Sequence, residues 1–438
     1  MPLDFTKKVQ VDESDNYVEN TRRYPEPALQ VEYLTDSSPK ERAEILRAVT
    51  KGGTVPAAVN RVYPLLADYV RDFAFNGTEF SAKLTAYFRN YKRQKLFNCI
   101  EPKFLSEVRE ISEKRPQFLL PTRESVLEKI AGPDVGLFWL DALGCEFLGV
   151  IQATAERMGM KMKVTATRSR LPSITSENKE FFDSWPGKKF DKHEDLDKIK
   201  HGDFDAPNDD RREYPAQLQY ELIAVENAVV TIAKWLKCHA SSKVVLTSDH
   251  GATRLAVISD SETSWAMPEK GVHGGRCCKM SEFDGDLPAC ATSSEDEKWH
   301  VLAGYDRFKG GRIGSVEVHG GATLEEMVVP VVEFELLDRE IHVELLDTNF
   351  KVTYKDSEIK LLLFSSTKLS SPAIDLGGSR YNAAIAEGVG RYEVKIPKPS
   401  AGDYKADVFD GDTKVGSVKF SVVSGGATVN SMDDFFGG

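Results

Sequence analysis

Five residues at the ends of apolar runs carry the side chains that a divalent cation needs. Asp141 closes VGLFWLD, Asp249 and His250 close KVVLTSDH, and His319 closes RIGSVEVH. Thr175 sits in the loop LPSIT that follows MKVTATRSR. Carboxylate oxygens and neutral imidazoles bind zinc, manganese and related cations. A threonine hydroxyl is a poor nucleophile until its proton is drawn off, and a bound cation can do that. Two cations about 4 Å apart can hold both the attacking and the leaving oxygen of a phosphoryl group. Singly these residues say little, because Asp ends many strands and His-Gly-Gly is also a turn. Their order and placement together point to metal-dependent phosphohydrolase chemistry.

Such residues converge only if the elements before them share one sheet edge. In an open α/β sheet, ligands bind at the carboxyl ends of the strands. VGLFWLD and KVVLTSDH read as buried parallel strands. GCEFLGVIQATAERMG and ELIAVENAVVTIAKWLKCH between them read as helices, RIGSVEVHGG as a strand with a polar end, and EEMVVPVVEFEL as a strand or strand pair. Strands alternating with helices predict a mostly parallel sheet with helices on its faces. Before this core, KERAEILRAVTK, VNRVYPLLADYVRDFAF and TEFSAKLTAYFRNYKRQKLF have helical periodicity. PTRESVLEKIAG carries a helix-start signal at Thr122. After Asp338 the segments are short and alternating, with DGD as a hairpin signal. The expected division is a helical domain over 1–130, an α/β catalytic domain over 131–337, a small antiparallel β-sandwich over 338–424, and a flexible acidic-aromatic tail over 425–438. That tail ends in Met432-Asp433-Asp434-Phe435-Phe436, which suits either a frayed end or a docking peptide.

The totals bound these readings. The 438 residues contain 57 Lys+Arg and 68 Asp+Glu, a formal net charge of -11. That balance argues against holding nucleic acid mainly by charge, although NYKRQK around Asn90–Lys95 offers a local basic patch. The six cysteines are scattered, with no Cys-x-x-Cys. The first residues lack the apolar core of an export signal, and no apolar stretch is long enough to span a bilayer. The expectation is a cytoplasmic protein without disulfides or membrane contact. In GVHGGRCCK, Arg276 is a candidate phosphate contact, His273 a candidate third ligand or acid, and Cys277 and Cys278 are structural.

In this order FWLDALG, LPSIT, TSDHG and HGGATLEEMVVPVV resemble the alkaline phosphatase superfamily, and more closely its PglZ branch. PglZ proteins belong to BREX, a bacterial anti-phage system; GVHGGRCCK and the compact chain suggest the type 4 version. The resemblance covers roughly residues 131–337. It implies an alkaline phosphatase-like core with two divalent metals, zinc by preference and manganese or magnesium otherwise. Thr175 would be the nucleophile or a bridging hydroxyl. Asp141, Asp249 and His250 would hold one metal with Thr175, and His319 the second. The superfamily adds an Asp and a His four residues apart at that second metal. His201 with Asp205 has that separation, and His193 with Asp197 is the runner-up. The implied function is a phosphatase or phosphodiesterase of the defence system. Alternatives are a DNA-nicking nuclease using the same site, or a catalytically weak scaffold. The implied partners are other BREX proteins, reached through the tail and sandwich, and a phosphate ester or nucleic acid substrate.

Overall fold

The computed structural model describes residues 16–77, 80–190, 192–205, 213–238, 240–259, 273–283, 285–308, 316–337, 341–388 and 390–424. The chain divides into two compact units, Met1–Leu337 and Asp338–Gly438. The acidic-aromatic tail lies outside the described residues.

In the first unit the sheet runs through β1 (Val135–Trp139), β2 (Met160–Arg168), β3 (Lys188–Lys189), β4 (Lys243–Thr247) and β8 (Val328–Leu336). Their spatial order is β2-β8-β4-β1-β3. Side chains alternate across it as strand geometry requires. Phe138, Val244, Leu246, Val332 and Phe334 face one core, packed against the helices Leu148–Met158 and Leu218–Lys237. Leu137, Trp139, Val245 and Val331 face the other, with Val126 and Leu127 of the helix Arg123–Ile130. Burial on both faces explains why these strands are continuous apolar runs.

The sheet is mixed, not mostly parallel. β1 pairs in parallel with β3 and β4, while β8 is antiparallel to both β2 and β4. The reversal matters for the site. β1, β2 and β4 deliver their C-terminal ends to one edge, and β8 brings its N-terminal end there. His319 follows Val318, which bridges Thr253, and precedes β8 on a loop; residues 312–315 of the expected strand RIGSVEV lie outside the described residues. EEMVVPVVEFEL is one helical turn, Leu324–Met327, followed by the single strand β8. A side sheet of β5 (Cys277–Lys279), β6 (Ala291–Ser293) and β7 (Trp299–Leu302) lies between β4 and β8 in the chain.

The N-terminal segment is helical. Ser38 caps Pro39–Gly52 by accepting from the Glu41 amide at 3.2 Å, and Thr122 caps Arg123–Ile130 through the Ser125 amide at 3.3 Å. This segment shares one apolar core with the α/β region, so packing does not break at 130/131. Its basic stretch turns inward. Lys95 is fully buried in Ser81–Phe97, and Lys92 donates to the Tyr69 carbonyl at 2.8 Å and to that of Arg71 at 2.6 Å. NYKRQK is therefore largely packing rather than a nucleic-acid patch.

The second unit holds β9 (Val343–Leu345), β10 (Asn349–Val352), β11 (Glu358–Ser365), β12 (Pro372–Leu376), β13 (Ser379–Ile385), β14 (Arg391–Pro397), β15 (Gly402–Asp410) and β16 (Thr413–Ser424). They form one continuous sheet, ordered β10-β16-β15-β12-β13-β14-β11-β9, instead of two separate layers. All its pairings are antiparallel except β10 with β16. The sheet encloses a core of Leu361, Leu363, Ile374, Val394, Val408 and Phe420. β15 and β16 turn on Gly411-Asp412, with Gly411 at φ 57°.

Candidate metal centre

The end of β1 and the end of β4 lock together first. Asp249 is fully buried. Its Oδ1 accepts from Trp139 Nε1 at 3.2 Å, the Ala142 amide at 3.4 Å and Ser248 Oγ at 3.2 Å. Ala142 stands at φ 60°, a left-handed conformation unusual for alanine. That turn carries Asp141 into the same space, its Oδ1 3.8 Å from His250 Nε2. Behind them, fully buried Arg123 donates to the Ser248 and Asp249 carbonyls at 2.8 Å each.

Thr175 opens the short helix Thr175–Asn178. Its hydroxyl donates to Asp249 Oδ2 at 2.7 Å and lies 3.2 Å from His250 Nε2. The loop before it is fastened by Asn178, whose Nδ2 donates to the carbonyls of Arg170, Pro172 and Ile174, and by Ser173, which donates to the Gly321 carbonyl at 2.6 Å.

His319 stacks on His250, ring centroids 4.0 Å apart, and its Nε2 lies 3.1 Å from His201 Nε2. His201 Nε2 is 3.4 Å from Asp197 Oδ1. The pair that joins His319 is thus Asp197 with His201, one member from each expected pair. Both sit on the turn around Asp195–Lys200, where a spacing of four puts side chains on one face. His193 instead stacks on Phe138 at 4.3 Å, while its backbone pairs with Trp139 and Asp141. Asp205 lies past Gly202, which has φ 98°; there the Asp205 carbonyl accepts from the Tyr220 hydroxyl, and its side chain is exposed. His273 completes the rim, its ring 4.9 Å from that of His319.

The donor set fits divalent cations. Asp141, Asp249 and His250 can each offer a ligand atom to one point, and Asp197, His250 and His319 to another. His250 Nδ1 faces the Gly251 carbonyl at 3.0 Å, and His319 Nδ1 the Ser173 carbonyl at 3.1 Å. Donation there leaves each Nε2 lone pair directed into the site, as in metal-binding histidines. Among the described residues buried Asp141 Oδ1 has no hydrogen-bond partner and Asp197 Oδ1 meets only the His201 ring, the state of oxygens that serve an ion. Burial, and then the Asp249 charge, push the Asp141 carboxyl up to about 8. Burial also opposes charge on Asp249, but His250, the bonds from Asp141 and Thr175, and Arg123 outweigh it and hold its carboxyl low. Burial keeps His319 well below the usual histidine range, in the neutral form that ligates.

Arg276 does not reach this space. Its guanidinium is buried against Glu326, with bonds of 3.0 and 2.8 Å, and donates to the carbonyls of Asp306, Leu302 and Gly304. It braces His-Gly-Gly. Glu326 accepts from the Gly321 amide and forms a capping box with Thr323. A Cβ on Gly321 would stand 2.2 Å from Glu326 Oε2, and one on Gly320, at φ 108°, would stand 2.9 Å from His273 Cβ. Cys277 and Cys278 are buried in β5.

A buried charge cluster, invisible to motif reading, joins the helical segment to these loops. Lys95 meets Glu221 at 2.8 Å and Glu317 at 2.5 Å; Lys200 meets Glu146 and Glu317 at 3.3 Å each. Glu317 lies two residues before His319, and Lys200 one before His201. The signal was the helical spacing that turns Lys95 to the same side as Leu84, Phe88 and Tyr91.

Residues 187–334 match the family described as the BREX system PglZ alkaline phosphatase-like domain, a segment that contains Asp197, His201, Asp249, His250 and His319. Residues 341–424 match a domain of unknown function, DUF7862. No curated protein matches the chain. Solved structures with partial similarity include a polysaccharide lyase (15% identity, 26% of this chain and 17% of that one, TM-score 0.16) and titin kinase with its flanking domains (14%, 24% and 21%, TM-score 0.16). The PKD domain of human KIAA0319 is a third (18%, 20% and 84%, TM-score 0.13). The chain spans only about a fifth of the first two, and overlaps this loose do not inform its fold. Over residues 187–334, then, this chain matches an alkaline phosphatase-like domain of the PglZ family.

Proposed function

We propose that the chain is a metal-dependent phosphohydrolase of a BREX defence system, with Thr175 as its nucleophile. The observation that carries this reading is the position of Thr175 Oγ1, 2.7 Å from Asp249 Oδ2 and 3.2 Å from His250 Nε2, where the two ligand groups meet. Asp141, Asp249 and His250 would hold one cation with Thr175; Asp197, His201 and His319 would hold the other. Bound zinc, manganese or magnesium would lower the pKa of the hydroxyl and offset charge on the phosphoryl oxygens. Asp249 holds the Thr175 proton side in place, and the fastened LPSIT loop fixes the oxygen's approach. Thr175 Oγ forms a bond to phosphorus as the ester P–O bond breaks and the alcohol leaves. Water then hydrolyses the phosphothreonine and restores the hydroxyl.

A DNA-nicking nuclease using the same site is the alternative reading; Lys92 and Lys95 of its suggested basic patch are buried. We assign residues 16–130 to the same working unit as 131–337, and contacts with other defence proteins to residues 338–438. No described helix is long and apolar enough to cross a membrane, and a cytoplasmic site of action suits the defence role. The test is hydrolysis of nitrophenyl phosphate mono- and diesters with added zinc or manganese. Thr175→Ala should lose roughly a thousandfold in kcat or more. Undiminished turnover in that variant would end the nucleophile assignment.

A further inference from the structure

With Arg276 committed to Glu326, the phosphoryl group needs another cationic side chain. Among the described residues, Lys192 is the only Lys or Arg in ion-pair contact with one of the proposed metal ligands. Its Nζ is 2.5 Å from Asp141 Oδ2 and 3.3 Å from Glu194 Oε1. The ammonium lies over Trp139, 4.6 Å from the ring centroid, and Trp139 itself donates to Asp249. The Lys192 side chain is 24% exposed, against 3% for Asp141, so it approaches the site from the solvent side. Its backbone is well placed, because the next residue pairs with both Trp139 and Asp141. Of the other cations that brace the site's loops, Arg123, Arg254, Arg276 and Lys200 are buried, and Arg170 is paired with Glu180 at 2.9 Å.

We propose that Lys192 is the phosphate-binding residue of this site, and so a catalytic residue. The inference rests on the phosphohydrolase reading. Lys192 holds Asp141 through Oδ2, while Oδ1 is the oxygen that faces His250 and is left to a cation; a cation there weakens the carboxylate's hold on the ammonium. A lysine is a compact charge on a flexible stem, so it can move from a carboxylate to a nearby phosphoryl oxygen without moving its backbone. Charge supports the same assignment. Once two divalent cations offset the three carboxylates Asp141, Asp197 and Asp249, the ammonium raises the surplus to two positive charges. That surplus matches a phosphate monoester dianion better than a singly charged diester.

The test uses the full chain loaded with zinc. Zinc affinity and stoichiometry are measured by titration, and inorganic phosphate binding by calorimetry, in wild type, Lys192→Met and Lys192→Arg. In Lys192→Met, phosphate affinity should fall roughly tenfold to a hundredfold, the worth of one charge-assisted hydrogen bond. Zinc should bind as well or better, because a competitor for Asp141 is gone. Lys192→Arg should recover most of the phosphate affinity. Nitrophenyl phosphate turnover should show the loss in KM more than in kcat, and more for the monoester than the diester. Unchanged phosphate affinity with zinc intact overturns the lysine assignment alone. Loss of zinc in Lys192→Met overturns it too, by making Lys192 part of the metal site's support. A wild type that takes up no zinc defeats the phosphohydrolase reading as well.

Discussion

The two units bury different things. The core of residues 341–424 is almost wholly apolar: Leu361, Leu363, Ile374, Val394, Val408 and Phe420 fill it, and among the described residues Ser365 is the one buried polar residue there. The unit before it buries Arg123, Arg254, Arg276, Lys95, Lys200, Glu146, Glu221, Glu317, Glu325 and Glu326 beside its apolar core. Buried ion pairs are poor sources of stability, because desolvation consumes most of the Coulombic gain. Apolar packing would have served the fold as well. The charges are concentrated where loops carrying Asp197, His201, Asp249, His250 and His319 must be held in register, so position is what they contribute. The described residues of the β-rich unit bury no charged side chain.

All five tryptophans, Trp139, Trp185, Trp235, Trp265 and Trp299, belong to the first unit. Tryptophan fluorescence therefore follows that unit alone, while hydrogen exchange can follow the second. The largest effect should come from Lys95→Met, which strands Glu221 and leaves Glu317 to Lys200 alone; about 3–5 kcal/mol should be lost from the fluorescence transition. A loss below about 1 kcal/mol would mean that the cluster is not a structural joint. Leu361→Ala should cost about 3 kcal/mol, seen as faster amide exchange in β11 and β14 with the tryptophan transition unmoved.

The pH dependence should separate the units further. In the metal-free protein, burial pushes Asp141 up to about 8 and Glu221 and Glu325 to about 7. These groups keep protons to higher pH when folded than when unfolded, so unfolding releases protons. Their contribution is greatest at low pH and declines as pH rises from about 5 to 8. Glu317 has the opposite sign: burial opposes its charge, but Lys95 and Lys200 hold it down at about 2. Its contribution is present throughout that window and fails only in acid. The fluorescence melting temperature should therefore fall by several degrees between pH 5 and 8, Asp141→Asn should make the slope shallower, and zinc should remove the Asp141 share while the Glu221 and Glu325 share stays. A flat profile in the metal-free wild type would contradict the buried-carboxylate account. The smallest effect belongs to the surface of the second unit, where Lys414→Ala breaks an exposed pair with Asp407 and should leave both transitions where they were.

Much of this was readable from residue patterns. Apolar runs ending at Asp141, Asp249 and His250, and the loop LPSIT, led to one sheet edge because strands buried on both faces have little freedom in where they end. The direction of β8 was not readable, since an apolar strand looks the same either way round. Nor was the choice among His193, Asp197, His201 and Asp205, which stand four residues apart in series. Two local facts decide it: His193 stacks on Phe138, and Gly202 turns the chain away before Asp205. Arg276 looked free beside Gly274 and Gly275, but its guanidinium is held by Glu326, in a space that Gly321 leaves open. Lys92 and Lys95 read as a basic patch because charge alone does not tell a solvated face from a buried joint.

The central claim is that two ligand groups meeting at His250 hold two divalent cations. Its most direct test is counting zinc per chain by elemental analysis after chelator stripping and reloading, in wild type and His319→Ala. The account predicts two ions in wild type and one in the variant. No zinc in wild type, or an equal count in both, would contradict it.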